Sequence, residues 1–289
     1  MPERKRLLAF HAHPDDESSK GAGTMARYSA EGARVALICA TGGEAGEILN
    51  PRMDLPGVLE NIAEYRHQEL EEACRILGVH EIYWLGYRDS GMPGTDDNKH
   101  PDALVNADRN EVLERLVGII RAERPQVMLS YDESRGYEHP DHVLVHELGL
   151  QAFDAAGDAS FLPEAGPVWS PLKLYYFATF SSQRFMALHE AAVAAGISST
   201  IAERLERWAE EGLEDPTITT QVDVSDYVDI RSKALLAHAT QIDPESQWFE
   251  IPDEIQRTAY PWEDFTLAAS RVQTNAEETD LFEGIEALD

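Results

Sequence analysis

Short apolar runs alternate with longer stretches of helical periodicity through the first half of the chain. Apolar runs of strand length lie at residues 7–10, 33–41, 81–85 and 127–131. Between them, the spacing of apolar residues predicts helices at residues 18–31, 58–77, 109–123 and 142–153. Because strands and helices alternate, this half predicts an α/β fold with a mostly parallel sheet and right-handed crossovers.

The pattern becomes less regular after residue 155. It predicts a loop at 157–170, then a strand at 172–177, helices at 183–196 and 201–211, a half-exposed strand at 218–224 and a helix at 226–240. Late aromatic residues are expected to pack over the core or to roof a pocket: Trp248, Phe249, Tyr260, Trp262 and Phe265. The acidic end from Glu277 is expected to fray.

The sequence contains no internal repeat and no linker rich in Gly, Ser or Pro. We therefore expect a single domain over residues 1–289. Its core, with the candidate motifs, spans 1–155, and a C-terminal α/β elaboration at 156–289 completes the pocket.

Composition limits the binding partners and the cellular compartment that can be expected for this protein. The formal net charge of −29 over 289 residues argues against binding to nucleic acid or to an anionic membrane, because both rely on clustered Lys and Arg. No apolar run approaches the ~20 residues that span a bilayer, and no signal peptide is evident. Cys39 and Cys74 fit no zinc spacing and are typical of buried cysteines in a reducing compartment. A soluble cytoplasmic protein is expected.

The run H-A-H-P-D-D-E-S-S-K-G at residues 11–21 follows the first predicted strand. In an open α/β sheet, ligands bind at the carboxyl ends of strands. His13 offers a nitrogen and Asp16 an oxygen, a combination that suits zinc or another divalent transition metal, while Asp15 is left to handle a proton. Taken alone, the run is also typical of a helix start, where Pro and acidic residues are favoured.

A second cluster, His139-Pro140-Asp141-His142, follows the fourth predicted strand. Two such clusters, each placed after a strand, are hard to explain by helix capping alone and predict one shared metal site. A catalytic zinc usually has three protein ligands and a water, and His13, Asp16 and His142 supply that number.

The remaining residues near the two clusters suggest how an amide could be hydrolysed. Asp15 is the candidate general base, and a protonated His139 would stabilise the oxyanion. Asp141 would orient one of the histidine rings. Tyr137 either adds its hydroxyl to the oxyanion site or packs in the wall.

Three further positions are candidates for substrate contacts. The loop T-G-G-E-A-G-E at residues 41–47 lacks a phosphate-binding pattern and carries glutamates, so a sugar-hydroxyl contact through Glu47 is favoured. Arg66 lies among glutamates on a predicted helix, where a surface ion pair is the commoner role. Asp89 follows the third strand and either braces its turn or binds a hydroxyl.

The motifs A-H-P-D-D-E and H-P-D-H, with the glycine loop after the second strand, resemble the PIG-L/LmbE-like N-deacetylase family. The resemblance covers nearly the whole chain and implies a Rossmann-like fold and metal-dependent hydrolysis of N-acyl groups on glucosamine-type sugars. It implies a Zn²⁺ site, with Fe²⁺ also compatible. The residue roles that it implies are ligation by His13, Asp16 and His142, general base for Asp15, oxyanion stabilisation for His139, and contacts with sugar and inositol hydroxyls for Glu47, Arg66 and Asp89.

Longer pieces indicate a branch within that family. Family members that act on mycothiol S-conjugates have similar sequences at three runs: T-G-G-E-A-G-E-I-L-N-P, Y-R-D-S-G-M-P-G and A-H-A-T-Q-I-D-P. A lysine at the position of Lys20 also resembles these members. The alternative interpretation of Lys20 is a solvated helix residue. The implied reaction cleaves the amide between glucosamine and S-substituted N-acetylcysteine, a small-molecule thiol-sugar conjugate. Glu138 departs from the more neutral residue typical of the family.

Other functions remain open at this point. The main alternative is deacetylation of N-acetylglucosaminyl-inositol or of another N-acyl-glucosamine. A two-metal phosphoesterase would need a second ligand set and basic groups for phosphate, neither of which is evident in the sequence. A sugar-binding module without activity would have no need of Asp15. The oligomeric state is not indicated.

Overall fold

The computed structural model describes residues 4–133 and 137–286. Seven strands in the described residues form one sheet in the order β3-β2-β1-β4-β5-β7-β6. Their bounds are Arg6–His11 for β1, Arg34–Thr41 for β2, Glu81–Tyr87 for β3, Val127–Ser130 for β4, Lys173–Phe177 for β5, Thr220–Asp223 for β6 and Trp262–Ser270 for β7. The pairings from β3 to β5 are parallel, and β7 is antiparallel to both β5 and β6.

Helices cover both faces of the sheet. The described α-helices are α1 Asp16–Ser19, α2 Ala22–Ala30, α3 Ile62–Leu77, α4 Arg109–Glu123, α5 Pro140–Ala155, α6 Ser182–Ala194, α7 Ile201–Glu210, α8 Val228–Ala237 and α9 Asp253–Ala259. α8 packs against α2 and α3, while α4 and α5 pack together and against β1. β1, β2 and β4 are therefore buried on both faces, as their continuous apolar runs predict.

The expected α/β fold with a mostly parallel, helix-flanked sheet and a C-terminal α/β elaboration is confirmed. The helix predicted at 109–123 has the same bounds as α4, where the Asp108 side chain accepts hydrogen bonds from the first helical N–H groups. Cys39 and Cys74 are buried and form no disulfide. In the described ranges, no helix combines the length and apolar character needed to cross a bilayer.

The helix predicted at 18–31 is instead two helices, α1 and α2, separated at Lys20 and Gly21. Gly21 has a φ of 77°, and a Cβ atom there would lie 2.6 Å from Cε1 of Phe177. Only glycine fits this close approach to β5. The break ends α1 at Ser19, within the motif at residues 11–21.

The expectation of a frayed acidic end is wrong up to residue 286, the last one described. Glu278 is buried and pairs with the buried Lys173 of β5 at 2.8 Å. Leu281 and Phe282 are also buried. Among the late aromatic residues, Phe265 lies fully buried in β7, a strand that the pattern did not predict.

Candidate active site

The site lies where the strand order changes direction, between β1 and β4. β2 and β3 lie on one side of β1, whereas β4 and β5 lie on the other. Such a switch point leaves a crevice at the carboxyl ends of the strands. The first motif leaves β1 there, and α5, which carries the second motif, begins beside it.

Three buried side chains have the geometry of a metal centre. His13 Nδ1 lies 3.5 Å from Asp16 Oδ2, and His142 Nε2 lies 3.4 Å from the same oxygen. Ligand atoms about 2.1 Å from a tetrahedral zinc ion are about 3.4 Å apart, so this spacing fits such an ion. The two distant motifs are therefore brought together as the sequence predicts.

The charge of Asp16 also suits a metal ligand. Burial opposes its ionisation, but Lys20 and His142 outweigh burial and hold the pKa of this carboxyl well below its usual value. Lys20 Nζ lies 2.6 Å from Asp16 Oδ1. Because the Lys20 side chain is only 16% exposed, the alternative of a solvated helix residue is wrong.

Asp141 orients His13 rather than His139. It is fully buried, and it accepts hydrogen bonds from the Ser90 N–H and hydroxyl groups. His13 Nε2 lies 3.1 Å from Asp141 Oδ2, so a proton on this nitrogen leaves Nδ1 free to face Asp16. A carboxylate that fixes the tautomer of a histidine in this way is common behind metal ligands.

A second group of potential ligands shares His13. The sequence showed no second ligand set, but the structure brings four buried side chains together: His13, Asp89, His139 and Asp141. Asp89 Oδ1 lies 3.5 Å from His13 Nε2 and 3.6 Å from His139 Nε2. Burial alone would lower the pKa of His13. The charge of Asp89 and the hydrogen bond with Asp141 outweigh burial and raise this pKa well above its usual value.

His139 caps the N-terminus of α5. Its Nδ1 accepts a hydrogen bond from the Asp141 N–H at 3.2 Å, so Nε2 carries the proton of the neutral ring. Burial and the neighbouring His13 lower the pKa of His139 to about 4. Near neutral pH the ring is therefore neutral in this structure, in contrast to the protonated His139 expected from the sequence.

Asp15 occupies a strained backbone position beside the metal group. Its φ of 107° lies in a region that residues other than glycine rarely adopt. Its N–H donates to Glu17 at 3.0 Å, and its carboxylate accepts from Arg66 at 3.1 Å. Burial raises the pKa of Asp15, and the Arg66 guanidinium opposes that rise.

Arg66 is buried, so the surface ion pair favoured from the sequence is wrong. Besides Asp15, its guanidinium donates to the carbonyls of Pro14 and Gly43. A Cβ atom on Gly43 would lie 2.4 Å from the guanidinium carbon, which explains the glycine in this loop. These contacts favour an orienting role for Arg66, and its contact with substrate stays a prediction.

The other predicted substrate contacts differ in their positions. Asp89 is buried, and its carboxylate accepts from the Gly91 N–H at 2.8 Å, which braces the turn. Glu47 is exposed and does not line the cavity described below. Tyr137 is 52% exposed, and its ring meets that of His142 edge-on at 5.0 Å.

A cavity of about 380 Å³ opens beside the metal group. At one end it is lined by Asp15, Asp16, Lys20, Tyr137 and His142. The rest of its wall is largely apolar, and most of it comes from the C-terminal half of the chain, where Trp248 is the late aromatic residue that contributes. Among the described lining residues, Lys20 is the single Lys or Arg.

Comparisons with known proteins identify the family. Residues 8–153 match the family model PIG-L, described as GlcNAc-PI de-N-acetylase. The chain belongs to the PIG-L family. This match contains both motifs and every side chain placed at the metal group.

Two curated relatives align with almost the whole length of this PIG-L family member. Mycothiol S-conjugate amidase of Streptomyces coelicolor is 46% identical over 290 residues, covering 99% of each chain. The 1D-myo-inositol 2-acetamido-2-deoxy-alpha-D-glucopyranoside deacetylase of Streptomyces avermitilis is 36% identical, covering 99% of this chain and 98% of the relative.

A solved structure shows the same fold. N,N'-diacetylchitobiose deacetylase from Pyrococcus horikoshii has a TM-score of 0.62 at 22% identity, covering 92% of this chain and 84% of the other. The agreement supports the sheet and helix arrangement described for this PIG-L member.

Several residues of this PIG-L site were not found from the sequence. Tyr131 stacks on His142 at 4.4 Å between ring centres, and its hydroxyl accepts from the Ala12 N–H. Glu17 is fully buried and pairs with His238 at 2.7 Å, which supports the structural role favoured for that histidine. No sequence pattern indicates a role for Ser90. Glu17 lies within the first motif, so its position in that motif could have indicated a role in the site.

Proposed function

We propose that this protein hydrolyses the amide between glucosamine and S-substituted N-acetylcysteine in mycothiol S-conjugates. The products are a mercapturic acid and glucosaminyl-inositol. The observation that carries the proposal is the 46% identity over the full chain with a mycothiol S-conjugate amidase, against 36% and 39% with the deacetylases of Streptomyces avermitilis and Thermobifida fusca. Lys20 at the cavity wall supports the same branch.

The proposed ligands are His13, Asp16 and His142, and the proposed ion is Zn²⁺, with Fe²⁺ compatible with the same donors. When bound, such an ion polarises the amide carbonyl and lowers the pKa of a water molecule toward about 7. Asp141 holds the His13 ring in the tautomer that binds.

Asp15 acts as the general base in this proposal. Its carboxylate lines the cavity, burial raises its pKa, and Arg66 holds one of its oxygens. It accepts a proton from the attacking water as the water oxygen bonds to the acyl carbon. The C–N bond of the amide then breaks, and the same proton passes to the leaving sugar amine.

Attack on the acyl carbon leaves a negative charge on the former carbonyl oxygen, and this oxyanion needs hydrogen-bond donors. His139 supplies an N–H from Nε2 even when its ring is neutral. Tyr137, at the cavity wall, is the proposed second donor.

Polar contacts with the sugar and inositol are assigned to four residues: Lys20, Glu47, Arg66 and Asp89. Lys20 has the strongest support, because it lines the cavity and its ammonium group donates to the neighbouring Asp16. The small, polar substrate and the net charge of −29 support a protein without a nucleic-acid or membrane partner. The free, buried Cys39 and Cys74 support a reducing compartment, the cytoplasm.

A comparison of two substrates tests the proposal. The purified metal-loaded enzyme is given an S-alkylated mycothiol and, separately, N-acetylglucosaminyl-inositol, and kcat/KM is measured for each. We expect a clear preference for the S-conjugate. A preference for the acetylated sugar would instead identify a deacetylase, and turnover of neither would contradict both functions.

A further inference from the structure

The cavity beside the metal group continues to a set of side chains that the reaction described above does not use. We call these residues the aromatic end: Phe180, Trp208, Pro216 and Trp248. Phe180 follows β5, Trp208 lies on α7, and Trp248 lies in a short 3-10 turn. Each keeps part of its surface accessible, so the rings are available to a ligand.

Ring contacts connect the metal group with this wall. His142 stacks on Tyr131 at 4.4 Å, and Tyr131 lies 6.0 Å from Phe177 between ring centres. Phe177 and Phe180 both line the cavity, three residues apart at the end of β5. A molecule held at the metal group can therefore extend along one continuous wall to the aromatic end.

Side chains outside the cavity pack against the residues of the aromatic end. Phe185 of α6 lies 6.2 Å from Phe180 and 6.1 Å from Trp208 between ring centres. Phe185 belongs to a second, smaller apolar core that includes residues of α6, α7 and α9. The Arg231 guanidinium lies 5.8 Å from the centre of the Trp248 ring. These contacts preform the wall before a ligand binds.

The chemistry of the proposed substrate identifies an occupant. Glucosamine and inositol carry many hydroxyls that need hydrogen-bond partners, whereas the indole N–H groups of the two tryptophans are the polar side-chain atoms of the aromatic end. The thioether substituent is the part of an S-conjugate that can be apolar. Large aromatic side chains in a cavity favour such a group through the apolar area that it buries.

We propose that the aromatic end binds the apolar group carried by the thioether sulfur. The preferred substrates are then conjugates with aromatic or bulky alkyl substituents. This assignment rests on the proposed amidase function, and it adds the feature of the substrate that the enzyme selects.

A series of conjugates that differ only in the sulfur substituent tests the proposal. We compare kcat/KM for S-methyl, S-butyl, S-benzyl and S-naphthylmethyl mycothiol. The expected result is an increase from methyl to the aromatic substituents of about tenfold or more. Equal values across the series would overturn the subsite while leaving the amidase function intact, whereas no cleavage of any conjugate would contradict that function itself.

Point variants of the aromatic end test which residues cause the preference for aromatic sulfur substituents. Trp208→Ala and Phe180→Ala are each expected to lower kcat/KM for the S-benzyl substrate by about tenfold and to change the S-methyl value by less than about twofold. Trp208→Phe should retain most of the preference. Trp84→Ala is the control, since Trp84 lies on the edge strand β3, stacked on His67, and does not line the cavity. Equal losses on both substrates would indicate a merely structural role and overturn the proposal.

Binding to the metal-free protein gives a readout that is independent of turnover. S-benzyl-N-acetylcysteine and S-methyl-N-acetylcysteine are titrated by calorimetry, with circular dichroism to verify folding of each variant. We expect tighter binding of the S-benzyl product, and we expect Trp208→Ala to remove that difference. Equal affinity of both products for the unmodified protein would contradict the assignment.

Discussion

Asp15 combines three features in one residue: a strained backbone, a raised pKa and a fixed carboxylate. A φ of 107° outside glycine costs on the order of 1–3 kcal/mol, so the surrounding contacts must hold it in place. Arg66 and Glu17 supply those contacts, one to the side chain and one to the backbone. Strain of this kind is common where a reacting group must point into a cavity.

Asp15→Asn should abolish most turnover and keep the metal. Because the amide cannot accept the proton of the attacking water, we expect kcat to fall by about 10²- to 10⁴-fold. Metal content, measured by atomic emission, should be unchanged. Asp96→Asn is the control, since the Asp96 side chain is 97% exposed. An active Asp15→Asn variant would assign the base elsewhere.

Metal affinity should depend on pH through His13. Its pKa is raised by Asp89, so near neutral pH the ring holds a proton that Zn²⁺ must displace. Affinity should therefore rise by about tenfold per pH unit below the raised pKa and level off above it. Competition with a chelator from pH 6 to pH 9 measures this dependence.

The variant Asp89→Asn provides the matched comparison for that measurement. It removes the charge that raises the pKa of His13, so the pH at which the affinity levels off should move down. An affinity that is independent of pH in the unmodified protein would contradict the assigned role of His13.

At the scale of elements, the last described segment is attached to the sheet by a buried ion pair. Lys173 of β5 is fully buried, and its ammonium contacts both oxygens of Glu278. Tyr175 adds a hydrogen bond to the same carboxylate. Since Lys173 is the first residue of β5, the segment is fixed at the start of this strand, even though its sequence is acidic.

Glu278→Gln should destabilise the protein strongly, because it leaves the Lys173 charge buried without its partner. We expect a loss of about 3–5 kcal/mol in the free energy of unfolding, measured by urea denaturation. Adding Lys173→Met to Glu278→Leu should recover much of the stability, since neither charge is then buried.

An exposed ion pair gives the control for that loss. Asp229→Asn breaks the pairs with Lys233 and Arg257. The three side chains are 43%, 63% and 39% exposed, so the loss should be at most about 1 kcal/mol for each pair. A similar small change for Glu278→Gln would show that the buried pair contributes little.

At the scale of the whole molecule, the two halves of the chain share one sheet. β5, β6 and β7 come from the C-terminal half and continue the order that starts with β3, β2, β1 and β4. The same half supplies much of the cavity wall. We therefore propose that residues 1–289 fold as one domain.

Unfolding in urea should then be a single transition. Far-ultraviolet circular dichroism and tryptophan fluorescence should give coincident curves, because Trp84 packs against the main apolar core and Trp208 against the second, smaller one. A chain truncated after residue 155 should aggregate, since it exposes the edge of β4 that pairs with β5. Two separate transitions, or a stable truncated chain, would contradict one domain.

The first half of the fold was predictable because its signals are local. Apolar runs and helical spacing predicted the strands from β1 to β4 and the helix α4. The signal of β7 was weaker, since its burial pattern does not alternate cleanly along Trp262–Ser270. Its place between β5 and β6 depends on pairing with strands that are distant in sequence.

By itself, the sequence determined the two motifs, their positions after strands and the family to which they belong, because each depends on residues close together in the chain. The tertiary structure decided which side chains are buried and what they contact. Arg66 turned out to hold Asp15, 51 residues away, and Lys173 to pair with Glu278, 105 residues away. The cavity's aromatic end likewise forms only when α7 and the end of β5 meet. Local spacing carries no information about such contacts, because the folded chain, and not the order of residues, sets the distances between them.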